Sequence, residues 1–150
     1  MLLVGSALTQ PDGTLTAVVP PGPSRLVDLT YRAHPDDVGY AAQTEVVENV
    51  SAGLRLRITP RRTSPTGTVV FDGRVLGVVP SHGVVVEVLV YYLGTWQPIR
   101  TPRTSATGRF RVRYRFHQAR GQFPFELLVR DGQVGFPYGE GCSGWVGVVI

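Results

Sequence analysis

Apolar and polar positions alternate most strictly along residues 108–116. There Arg109, Arg111, Arg113 and Arg115 interleave with Phe110, Val112, Tyr114 and Phe116. A period of two puts one set in a core and the other in water, which predicts a β-strand. A helix would scatter the four arginines around its circumference. The same alternation runs through Leu54, Leu56 and Ile58 against Arg55 and Arg57, stopping at Pro60. Residues 68–76 set Val69, Phe71 and Gly73 against Val70, Asp72 and Arg74. Residues 84–93 are nearly continuously apolar, interrupted by Glu87, and further strands are predicted at 96–103, 123–130 and 145–150. Turn signals separate them at 63–67, Pro80-Ser81-His82-Gly83, Gly94-Thr95, 104–107 and Asp131-Gly132. Seven strands at spacings near a dozen residues, with no helical pattern, predict an all-β Greek-key sandwich over residues 51–150.

The first fifty residues are patterned differently. Short strands are expected at 2–9 and, after the Asp12-Gly13 turn, at 14–19. Pro20-Pro21-Gly22-Pro23 reads as a rigid connector, although it also satisfies the PxxP pattern of groove-binding ligands. Strands are expected next at 25–33 and 44–50, around a loop opened by His34-Pro35-Asp36-Asp37. Several of these features recur toward the C-terminus. Gly13-Thr14-Leu15 parallels Gly108-Arg109-Phe110, the 25–33 strand parallels 123–130, and 45–50 parallels 145–150, at offsets of 95 to 100 residues. The expectation is that 1–50 is the C-terminal part of a preceding unit and 51–150 a complete one. Half a sandwich cannot bury its inner face. The chain is then a piece of a longer tandem protein, or its first strands lie against the complete domain.

Charge sharpens the division. Residues 1–50 hold two arginines against six acids, and 51–150 hold thirteen against five, within a total of +4. Lysine is absent, which points to a GC-rich genome rather than to a physical constraint. Gly 18 and Pro 12 suit many strands joined by tight turns. A single cysteine, Cys142, excludes an internal disulfide and a Cys-based metal site. Met-Leu-Leu-Val-Gly-Ser does not form a signal peptide, and no apolar run reaches the ~20 residues of a membrane span, so no membrane insertion is expected.

Residues 51–150 resemble the immunoglobulin-like sandwich repeats of secreted and surface proteins of actinobacteria. The resemblance rests on Ile58-Thr59-Pro60-Arg61-Arg62, Phe71-Asp72-Gly73-Arg74-Val75, and Gly83 leading to Glu87. It extends through Trp96 to Arg103-Thr104, Gly108-Arg109-Phe110-Arg111, Tyr114-Arg115-Phe116 and Phe136-Pro137-Tyr138. It implies a non-enzymatic spacer, stalk or adhesive module outside the cell, whose partners are neighbouring domains of the same protein. It brings no catalytic residues and no cofactor. Cys142 departs from the small polar residue usual at its position.

Little in the sequence points to catalysis. Gly139-Glu140-Gly141-Cys142-Ser143-Gly144 fits the GxGxxG phosphate pattern, but six β-forming residues come after it where a helix is required. Cys142 has no histidine tied to it, His34, His82 and His117 all falling in predicted loops without metal-ligand spacing. The stripe Arg109, Arg111, Arg113 and Arg115 is the candidate binding surface. Joined by Arg55, Arg57 or Arg103, it suits anionic cell-wall polymers or glycans, against the plainer expectation of a solvated sheet face. Its interleaved aromatics point inward and cannot stack on bases, so no nucleic acid is expected. Trp96 and Trp145 are expected inside, where large rings fill the space between sheets, rather than in a sugar-binding platform.

Overall fold

The computed structural model describes residues 5–150, and among them there are ten strands and no helix. They are β1 (Arg25–Tyr31), β2 (Ala42–Glu48), β3 (Leu54–Thr59), β4 (Thr68–Val75), β5 (Glu87–Tyr92), β6 (Thr95–Arg100), β7 (Arg109–Arg115), β8 (Gln122–Val129), β9 (Gly141–Cys142) and β10 (Val146–Val149). The chain is all-β, with three open sheets ordered β1-β2, β3-β4-β7 and β10-β8-β5-β6, the short β9 pairing with β8.

Two of those sheets face each other, as in a β-sandwich. The inward set of β3-β4-β7 is Ile58, Val69, Phe71, Val75 and Phe110, and that of the larger sheet is Val88, Phe125, Leu127, Val129 and Val148. Phe71 meets Phe125 edge-on at 5.2 Å between ring centroids, tying the layers together. The alternation read from the sequence therefore holds: Phe110 is buried, Val112 and Tyr114 pack on the core, and the four arginines between them are exposed. Gly73 is a close-approach glycine: a Cβ there would lie 2.2 Å from the Phe110 ring.

Several boundaries differ from the expectation. Residues 2–4 of the strand expected at 2–9 lie outside the described residues, and 5–9 and 14–19 form no strand. Asp12 Oδ1 instead accepts from the Thr14 amide at 2.9 Å and its hydroxyl at 2.7 Å, closing a local turn, and residues 15–19 join no sheet. The strand expected at 84–93 begins only at Glu87, because the Gln133 side chain satisfies both backbone groups of Val85, at 2.7 and 3.0 Å. The strand expected at 96–103 ends at Arg100 after a bulge opposite Val88/Leu89. Both tryptophans are corrected outright. Trp96 is 37% and Trp145 63% exposed, on the outside of the larger sheet.

The N-terminal strands β1 and β2 pair only with each other, in a two-stranded ribbon. It is fastened at its base, where the Ser24 amide donates to the Pro137 carbonyl at 2.9 Å and the Val50 amide to Ser24 Oγ at 2.8 Å. Its internal register matches that of β8-β10. Val27 opposes Val46 as Phe125 opposes Val146, at offsets of 98 and 100 residues. Phe125 is fully buried, whereas Val46 is about half exposed.

Candidate functional site: an arginine face and an aromatic face

Strand pairing brings the arginine stripe of β7 together with arginines of β3 and β4. Across the sheet, Arg55 opposes Arg74, which opposes Arg109. The next row is Arg57, Asp72 and Arg111, then Thr59, Val70 and Arg113, then Thr68 and Arg115. All seven arginines are exposed and share one face, with Asp72 the single acid in these rows. Asp72 binds Arg111 at 3.5 Å, and Arg115 donates to the Thr66 carbonyl at 3.3 Å. A shallow groove of about 840 Å³ runs over Arg55, Arg57, Asp72, Arg74, Arg109 and Arg111.

Like charges directly opposite one another in a sheet repel. The Arg55–Arg74–Arg109 row sets three side by side with no acid among them. Sequence reasoning placed Arg55 and Arg57 here but missed Arg74, although its place in the alternation with Asp72 carried the signal. Arg103 does not join the face. It lies beside Val85 and donates to the carbonyls of His82 and Gly83, lining a separate open hollow with Glu87, Arg130 and Gln133.

The outside of the larger sheet has opposite chemistry. Inward residues of β5 and β8 are Val88, Val90, Phe125, Leu127 and Val129, so Leu89, Tyr91, Pro124, Glu126 and Leu128 point out. Tyr91 opposes Trp96, and their rings meet edge-on at 5.3 Å. Trp145 lies on the same side, its ring over Gly147, where a Cβ would stand 3.8 Å from it. Leu89 and Leu128 are only 5% and 6% exposed although they belong to this outer side and not to the core. Burial among these groups holds the Glu126 carboxyl above the usual carboxylate range.

Cys142 sits at the rim of this side, opposite Leu128. Partial burial, then the carboxylates of Glu126 and Glu140, raise its thiol pKa, against a smaller opposing effect of Arg130. That environment suppresses the thiolate a nucleophile needs. The glycine-rich run at 139–144 opens no helix. Gly141 is there because a Cβ would strike the Ala52 carbonyl at 2.0 Å.

These features define an all-β, two-layer protein with a cationic face on one sheet and an aromatic face on the other. No family model and no curated protein matches the chain.

Proposed function

We propose that this chain is a non-enzymatic, extracellular module of immunoglobulin-like topology that holds anionic cell-wall polymers or glycans on its arginine face. The observation that carries the reading is the Arg55–Arg74–Arg109 row. A solvated face needs polar residues but not three aligned cations, and a polyanion would relieve their repulsion. Guanidinium groups also suit phosphate and carboxylate geometry through paired donors. The sheet orders β3-β4-β7 and β10-β8-β5-β6 support the immunoglobulin-like Greek key, as does the parallel contact of Arg62 with Val149. Lipoteichoic acid and heparin, each in a salt series, test the reading. Retention should fall linearly with the logarithm of salt, and Arg111→Ser/Arg113→Ser should lower the slope by roughly two ions. Absence of retention at low salt would leave the module as a spacer.

The spacer reading has its own support in the matched registers of β1-β2 and β8-β10. Under it, β1-β2 is the closing part of a neighbouring unit in a tandem array on the surface of a bacterium. Its inner face would be Val27, Leu29 and Val46, covered there by the rest of that unit.

A further inference from the structure

We propose that the outer side of the β10-β8-β5-β6 sheet is a binding site for an extended neutral glycan, separate from the arginine face. Trp145 and Trp96 stand at opposite edges of four adjacent strands. Three strand spacings and two residues along the strands separate them, about 16 Å. Tyr91 and Pro124 floor the span between, and Gly147 contributes no side chain beside the Trp145 ring. Such a strip is level and open at both ends, which fits a chain laid across it rather than an enclosed small molecule.

The polar groups match the hydroxyls of a sugar. Among the described residues the Glu126 carboxylate makes no hydrogen bond or ion pair, although the residue is half-buried between apolar neighbours. Its oxygens are open to solvent, where the hydroxyl donors of a sugar can replace water. Gln122 Nε2 stands over Gly147 and adds a donor, and Tyr91 carries a phenol at the other side. Sugar rings have apolar C–H faces and polar edges, and aromatic residues with one wet end suit such ligands.

Charge and size exclude the alternatives. Glu126 repels the polyanions that the opposite sheet attracts. The strip covers roughly 300 Å², from strand and residue spacings, whereas a stable dimer buries about 800 Å² on each partner. That is too little for a second copy to be the resident partner.

Affinity electrophoresis of the whole chain in gels holding hydroxyethyl cellulose, xylan, mannan, galactan or laminarin tests the proposal. Retardation is expected with at least one of them, together with a change in tryptophan fluorescence. Trp145→Ala should weaken it at least tenfold, and Glu126→Gln, which keeps the shape of the side chain, several-fold. Arg111→Ser/Arg113→Ser should leave it unchanged. The proposal is overturned by no retardation in any of the five gels, or by equal retardation of Trp145→Ala. It is also overturned if tetramethylammonium, but no glycan, shifts the fluorescence, or if sedimentation shows a dimer that Trp145→Ala dissociates.

Discussion

Gly73 and Phe110 are direct partners across β4 and β7, and the ring of one occupies the space a side chain on the other would need. The contact fixes how closely the two arginine-bearing strands approach the core. Gly73→Ala should destabilise the domain by about 1–3 kcal/mol through overpacking. Phe110→Leu on that background should recover some of the loss. Denaturant unfolding of the four proteins in a double-mutant cycle checks the coupling, and additive losses would count against it.

The aligned arginines predict an unusual response to salt. Screening the Arg55–Arg74–Arg109 repulsion should raise the unfolding temperature between about 0.01 M and about 0.15 M ionic strength. Arg74→Thr should stabilise the protein at low salt by no more than about 1 kcal/mol and flatten that dependence. Calorimetry at the two ionic strengths reads both effects.

Glu126 sets a pH dependence of definite sign. Its carboxyl is raised by burial, so the folded state holds that proton more tightly than the unfolded one. Stability from this group is present at acid pH and declines as pH rises from the ordinary carboxylate range through the folded-state pKa. Glu126→Gln should therefore be more stable than the parent at neutral pH, and the difference should vanish in acid. Urea unfolding of both proteins between pH 3 and pH 7 (roughly spanning the carboxylate range) measures it. A Glu126→Gln variant less stable at pH 7 would contradict the assignment.

Cys142 should be a sluggish thiol despite its exposure. Alkylation at neutral pH should run slower than for a cysteine peptide, and its midpoint should lie above the peptide's. Glu140→Gln should lower that midpoint, since one of the carboxylates raising it is removed.

The ribbon and the domain should separate in hydrogen exchange. A two-stranded ribbon is marginal alone, so amides of Val27 and Leu29 should exchange close to unprotected rates. Those of Phe125 and Leu127, in the matching register of a covered sheet, should exchange only with global unfolding.

The period-two pattern made the inner faces legible because every second residue from Leu54 onward either enters the core or does not. It also revealed the arginine stripe, since β7 carries the stripe within one strand. Pairing between strands lay beyond it. Arg74 joins the face only through the register of β4 with β3 and β7, and Arg103 falls outside it because its segment pairs with Val85, beside β5 of the opposite sheet. The tryptophans failed for a related reason. Ring size argues for burial, but parity decides: Trp145 comes one residue before the inward Val146, and Trp96 opposes the outward Tyr91. The two-residue β9 had no pattern to betray it, being made by its pairing with the end of β8.

The last strand also runs parallel to the segment just after β3. The Thr63 amide donates to the Val149 carbonyl at 3.0 Å, and the Val149 amide to that of Arg61 at 2.9 Å. A pull on the two ends of the domain drags these segments past each other, so both bonds are loaded together in shear. Antiparallel neighbours tugged at one end would instead open bond by bond, like a zip. Resistance to stretching is thus concentrated in this seam rather than spread over the sheets.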